Sequence, residues 1–406
     1  MKQLTRLFIP ICLETLFYML SGMVDTLMLS AVGDYAVGAV GTANSYIGIF
    51  IIMFSIISSG MVSVMTQNIG AGRPGVAYQA RQLGLLFNAV AGVLMAVFLF
   101  SGAGAILRMV GIADALYEPA LIYLKIVGGG CILNAVIPIF SSYLRAFGYT
   151  KQPLYATIVG NIANFVMNAV FLFVLHKGVA GVAAATVISK ILNLCIVLYF
   201  SHKLISAKNS TERIANKTVL GQIVKVGLPS ACETALYNVA MMLVIRFLNQ
   251  MDAEGLNVTA RSYTATISNF SYCVGAALAQ ANAIMTGWHI GAGELEECDR
   301  GTKRAAFVGV CVAVCMETAI VLGSGFIMPL FTDNPEMTAL VRKLLAIDIV
   351  LEIGRVTNLV FGQALKTSGD AVFPAVIAAV FMFVFAVGGT WLFGISMGLM
   401  AGGAYI

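Results

Sequence analysis

Pro10-Ile-Cys-Leu-Glu14-Thr15-Leu-Phe-Tyr18 returns as Pro229-Ser-Ala-Cys-Glu233-Thr234-Ala-Leu-Tyr237, 219 residues later. Ile69-Gly-Ala-Gly72 returns as Ile290-Gly-Ala-Gly293, and Leu144, Gly148 and Pro153 return as Leu365, Gly369 and Pro374, each at an offset of 221. Gly181-Val-Ala183 matches Gly402-Gly-Ala404. Each match is weak alone. In order and at nearly one offset they establish an internal repeat, and a repeat settles architecture before any single motif does. The two units flank the longest polar stretch of the chain, Ser201 to Lys217.

Composition says what the units are made of. Of 406 residues 59% are hydrophobic and 11% charged, against roughly 25% charged in soluble domains. So few charges cannot cover a water-soluble surface of this size. Apolar segments near 7–31, 43–69, 83–107, 119–145, 154–175, 180–201, 227–250, 258–288, 304–328, 337–364 and 371–396 each reach the roughly 20 residues of a membrane helix. The fold class is an all-α polytopic membrane protein of two six-helix lobes. An even number of spans per unit makes the repeats parallel, related by a pseudo-twofold along the membrane normal with a substrate path between them. The first unit runs on through a sixth span ending near Phe200, whereas the second stops at Ile406, so the twelfth helix is largely absent from this chain. Residues 1–203 form the N-terminal lobe, 204–226 an inter-lobe cytoplasmic loop, and 227–406 the C-terminal lobe. The first span carries Glu14 and Asp25 and no early small-residue cleavage site follows it, so it stays as an uncleaved helix. With the N-terminus in the cytoplasm, inner loops hold fifteen Lys and Arg and outer loops six, which sets the orientation.

The same residues exclude other classes. Basic residues are scattered, so the net charge of +5 is no nucleic-acid footprint. Seven of the eight cysteines lie in apolar segments without CxxC or His partners at ligand spacing, and read as packing residues. No DxxD or DxxxD pair is present for a membrane-embedded Mg²⁺-dependent enzyme such as a prenyltransferase. No cofactor is expected.

Acids inside apolar spans cost about 2.5–3.5 kcal/mol each on insertion scales and need a reason to be there. Glu14 and Asp25 are eleven residues apart, about 16 Å along a helix and within about 20° of one face. Tyr18 and Ser21 complete that stripe, which must face protein or a wet cavity. Asn161, Asn164 and Asn168 share one face of the fifth span, and Thr186 follows in the sixth. Amide and hydroxyl oxygens around a carboxylate suit a small cation or a proton-switched network; interhelical hydrogen bonding is the alternative for the asparagines. The repeat discriminates, because it sets Val244 opposite Asp25 and Met382, Phe385 and Gly389 opposite the asparagines. A polar set demanded by the fold would recur, and this one does not. In the second half Glu352 and Arg355 pair at i,i+3, leaving Glu233 and Asp348 without an evident neutralising partner. Glu14 and Glu233 either line the central path or pack the two first helices together. Lys190, Arg261 and Glu317 are expected to find counter-ions or to snorkel. Pro10 and Pro229 open corresponding helices and Pro138 lies inside the fourth span. A helix with Pro10 near one end and Asp25 near the other either bends on protonation or is statically kinked.

The chain resembles the multidrug and toxic compound extrusion (MATE) family over essentially its whole length. The resemblance is carried by Pro10 with Glu14, Val24-Asp25-Thr26, Asn44 in Val-Gly-Thr-Ala-Asn, Ile69-Gly-Ala-Gly72, Asn164-Phe-Val-Met-Asn168 and Ala183-Ala-Ala-Thr-Val-Ile-Ser189. In the second half it is carried by Gly227-Leu-Pro229, Ile290-Gly-Ala-Gly293 and Gly369-Asp370 ahead of Pro374. It implies an antiporter of the cell membrane, a monomer, exporting amphipathic organic cations in exchange for Na⁺ or H⁺. Asp25, Asn164 and Thr186 match a first-lobe cation site and Pro10 the proline where the first helix bends. Asn168 departs from relatives that carry aspartate there, which leaves Na⁺ and H⁺ both open. Relatives with a second-lobe cation site place a glutamate where this chain has Tyr237. Glu14, Tyr18, Asn44, Glu233, Tyr237 and Glu352 are the expected substrate path. A related lipid-linked oligosaccharide flippase is the alternative; it needs a basic cavity, and the interior charges here are mainly acidic.

Overall fold

The computed structural model describes residues 2–205, 212–251, 256–330, 332, 334–398 and 400. Among them every regular element is helical. In the first half these are α1 (Lys2–Ser30), α2 (Asp34–Gly70), α3 (Pro74–Val110), α4 (Asp114–Gly129), α5 (Cys131–Ala146), α6 (Lys151–Ala169) and α7 (Gly178–Leu204). The second half has α8 (Asn216–Met251), α9 (Leu256–Ala292), α10 (Leu295–Ile327), α11 (Pro335–Ser368) and α12 (Val372–Phe381). All eleven expected spans are helices. The match Gly402 to Ala404, and with it the start of a twelfth span, lies outside the described residues.

The repeat anchors turn out to be helix stops. Gly72 and Gly293 end their helices at φ 72° and 80°, and Gly148 and Gly369 do so at 82° and 100°. That is the left-handed region where glycine carries no Cβ penalty. The anchors recur because both halves end the same helices in the same way.

Two sequence expectations are corrected. Pro10 and Pro229 lie inside α1 and α8 rather than opening them; Pro138 lies inside the fourth span as expected, within α5, and that span is broken at Gly128-Gly129-Gly130, where α4 and α5 meet at 41°. Three consecutive residues without side chains hold a helix more weakly than one proline whose freed carbonyl its neighbours can satisfy. The segment 204–226 is helical from Asn216 onward rather than a loop throughout. Its helix hides behind polar residues, since Val219, Ile223 and Val226 are buried at intervals of four and three while Lys217, Gln222 and Lys225 occupy the other face. Hydropathy averaging misses such a stripe; helical periodicity finds it. By length and apolar composition alone, eight of the described helices could cross a membrane, nine if α4 and α5 count as one broken span. Helices α9 and α11 fall short because they bury polar side chains, Ser268, Ser271 and Asn282 in α9 and Asp348 and Glu352 in α11.

The chain forms two compact units, Met1–Leu228 and Pro229–Ile406. In the first, α3 packs on α2, α4 and α5, while α6 lies between α1 and α7. The opening turns of α8 belong to this unit and meet α2 backbone to backbone. A Cβ on Gly227 would stand 1.8 Å from the Ile56 carbonyl oxygen, and one on Gly60 1.9 Å from that of Ile223. In the second unit α9, α10 and α11 pack on one another.

Candidate functional site

Helix α1 lies along α6, and this contact brings the first-lobe polar residues together. Asn168 Nδ2 donates to Asp25 Oδ1 at 2.7 Å and to Asn164 Oδ1 at 3.1 Å. Asn168 is fully buried and Asn164 nearly so. The Asn168 Oδ1 atom is buried and has no donor among the described residues. A buried acceptor without a donor costs free energy, so this oxygen beside a carboxylate is a place for an incoming proton donor or cation. Asn161 does something different: its Nδ2 donates to the Phe17 carbonyl at 2.9 Å and ties α6 to the α1 backbone. The two uses of the asparagine row thus divide by residue. Just beyond Asn168 the helix widens into a π turn, Val170–Val174, a feature common at functional sites.

Thr186 on α7 donates to the Val182 carbonyl of its own helix at 2.9 Å. Its side chain and that of Asn44, on α2, are hydrogen-bonded with Tyr123, on α4, which lies in the field of Asp25. Tyr123 is buried, 4% exposed, and sequence reasoning missed it. The signal was available, because its repeat counterpart is Leu344, the same polar-to-apolar asymmetry that singles out Asp25. Lys190 was expected to find a counter-ion or to snorkel. It does not snorkel: its Nζ donates to Asn134 Oδ1 at 2.7 Å, and it sits in the field of Asp25.

Glu14, Glu233, Asp348 and Glu352 each find an ion-pair partner within their own lobe. Glu14 pairs with Arg145 at 2.6 Å, and Glu233 with Lys366 at 2.8 Å. These pairs are repeat equivalents, since Arg145 and Lys366 each follow a leucine anchor at an offset of 221. Asp348, expected to lack a partner, accepts from Arg355 at 3.0 Å, and Arg355 also pairs with Glu352 as expected. Glu317 is fully buried rather than snorkelling. Its carboxylate oxygens gather with those of Asp348 and Glu352 within 4.8 Å of one another. Arg261 has Met241 Sδ as its neighbour, at 3.2 Å. Tyr18 and Tyr237, also repeat equivalents, are both exposed, at 72% and 51%.

The arrangement is that of a membrane protein with a polar core in each lobe, and comparison with known proteins agrees. The MatE family model matches residues 10–170 and again 229–392, one copy per lobe. The "Uncharacterized transporter YisQ" of Bacillus subtilis (strain 168) is 32% identical over 403 residues, covering 98% of this chain and 88% of that protein. A MATE transporter of the MOP superfamily solved in an outward-facing conformation superposes with a TM-score of 0.86 at 21% identity, covering 100% of this chain and 90% of the other. A MATE structure in a bent conformation gives the same score at 19% identity and the same coverage. With both lobes matched by the family model and a transporter relative matched along nearly its whole length, this chain belongs to the MATE family of membrane transporters.

Proposed function

We propose that the chain is a secondary active antiporter that exports amphipathic organic cations by alternating access of its two lobes, driven by inward movement of Na⁺ or H⁺. One observation carries this reading: Asp25 is held by Asn168 at 2.7 Å beside a buried amide oxygen that has no donor. Binding of a cation or proton at Asp25 supplies the missing partner and changes the interaction between α1 and α6. Differential affinity of that site between inward- and outward-open states is what converts an ion gradient into transport; equal affinity would drive nothing. The coupling group is Asp25, Asn164, Asn168 and Thr186, to which the geometry adds Tyr123 and Asn44. The excess of acids over bases in the second-lobe core supports a cationic cargo. The excess of Lys and Arg in alternate loops supports a cytoplasmic N-terminus in the cell membrane.

The test is efflux of a cationic dye from proteoliposomes under an imposed Na⁺ gradient or an imposed pH gradient. One of the two is expected to stimulate efflux, and Asp25→Asn is expected to abolish that stimulation while the protein still inserts. Efflux at the wild-type rate in Asp25→Asn would remove Asp25 from the mechanism. A response to neither gradient would count against antiport altogether.

A further inference from the structure

Lys190 stands one turn beyond Thr186 on α7, with its ammonium bound to Asn134 Oδ1 at 2.7 Å and Asp25 and Cys131 within its field. The ionisable groups facing this space are Asp25 and Tyr18 from α1, Tyr123 from α4, Cys131 from α5 and Lys190 from α7. Helix α6 contributes the amides of Asn164 and Asn168, and α2 that of Asn44. One carboxylate and one ammonium sum to zero, so the first-lobe core is electrically balanced by its own side chains.

We infer that Lys190 sets the ion choice of the coupling site: its tethered ammonium supplies the positive charge an alkali-metal ion would bring, so that the site takes a proton and excludes Na⁺. The inference rests on the proposed role of Asp25. A sodium ion entering a balanced, weakly screened interior must shed water and sit as a second cation near the ammonium, with no unspent negative charge to offset it. A proton arrives differently. It forms an O–H bond on Asp25, and the new hydroxyl is a donor beside the Asn168 oxygen that lacks one. Replacing Lys190 with a neutral residue leaves a lone carboxylate ringed by amide and hydroxyl oxygens, which is a sodium site.

The experiment compares the full-length wild type with Lys190→Met, Lys190→Gln and Lys190→Arg. One arm is dye efflux from proteoliposomes under a Na⁺ gradient, a K⁺ gradient or a pH gradient; the other is thermal unfolding in detergent in NaCl against equimolar KCl. Wild type and Lys190→Arg are expected to respond to the pH gradient and to treat Na⁺ and K⁺ alike in both arms. Lys190→Met and Lys190→Gln are expected to gain Na⁺-driven efflux of at least about fivefold over K⁺, within the usual range of coupling between sites, and an unfolding midpoint raised by Na⁺ alone. The Gln variant keeps a hydrogen-bonding group for Asn134 should the Met variant fold poorly. A Na⁺-specific response in the wild type, or none in either neutral variant, overturns the assignment. If neither gradient drives wild-type efflux, the antiport reading fails, and the unfolding arm still decides whether Lys190 keeps sodium out.

Discussion

Val127, Cys131 and Asn134 of the first lobe stand, at the repeat offset of 221, where the second lobe has Asp348, Glu352 and Arg355. In the first lobe this patch is uncharged and meets a single ammonium from α7, that of Lys190. In the second it is a charged triad, joined by Glu317 of α10, whose first-lobe counterpart is Ala96. Around these patches the scaffold is conserved between lobes. The π turn Val170–Val174 recurs as Thr390–Ser396, and Glu14–Arg145 recurs as Glu233–Lys366. Even Asn168, which abuts the first π turn, has only Gly389 in its place beside the second. What both lobes share therefore belongs to the fold, and what they do not share is where the chemistry differs. The first-lobe core holds one carboxylate, that of Asp25, and one ammonium, that of Lys190; the second sets three buried carboxylates against one guanidinium.

That contrast predicts very unequal responses to removing one base from each core. Arg355→Met strands Asp348 and Glu352, both buried, without a counter-charge, and breaking a buried pair from one side costs about 3–5 kcal/mol. The expected outcome is loss of folded protein on extraction into detergent, read by fluorescence size-exclusion chromatography. Lys190→Met removes a base whose direct partner is a neutral amide, while Asp25 keeps its bond from Asn168, so that variant is expected to survive extraction. Equal losses would mean the two cores are not built on different principles.

The shared ion pairs should behave in the opposite way, alike in the two lobes. Glu14 and Arg145 are 13% and 17% exposed, Glu233 and Lys366 21% and 14%. These pairs are well shielded, and losing a charged hydrogen-bond partner there costs about 1.5–3 kcal/mol. Glu14→Gln and Glu233→Gln are expected to lower the unfolding midpoint by similar amounts and to leave ion preference unchanged. A change of transport without a change of stability in either variant would move that glutamate from the scaffold to the substrate path.

How much of this was legible in the sequence follows from the physics of each signal. The repeat, the helical class and all eleven spans were readable because apolar length and helix-stopping glycines are local properties. The first-lobe acid and its amides were readable because periodicity puts Asn164 and Asn168 on one face and the repeat supplied an internal control. The partners of Glu14, Glu233 and Asp348 were not, although two of them could have been, since Arg145 and Lys366 adjoin the matched anchors Leu144 and Leu365. Glu317 joining Asp348 and Glu352 depends on how α10 packs on α11, which no spacing within one helix reveals. The helical start of α8 was lost to averaging, since three buried residues among polar neighbours barely raise a window's hydropathy.

The finest distinction concerns Tyr123. Its hydroxyl joins Asn44 to Thr186 and lies in the field of Asp25, so it connects α2, α4 and α7 around the acid. The second lobe holds Leu344 at the equivalent position, fully buried, which shows that this place in the scaffold accepts a side chain with no polar atom. Tyr123→Phe keeps the ring and its packing and deletes only the hydroxyl. The stability cost is accordingly expected to be small, about 1 kcal/mol for one net hydrogen bond, and visible as a modest shift of the unfolding midpoint. If the hydroxyl serves the coupling site, the shift is accompanied by a change in the external pH that gives half-maximal efflux, because a dipole beside Asp25 has been removed. If it serves only to join helices, the midpoint moves and the pH profile stays where it was. The same readout applied to Asn44→Ala and Thr186→Val separates the two roles residue by residue, because a network acting on Asp25 shifts the profile from each of its members while a structural bridge shifts it from none.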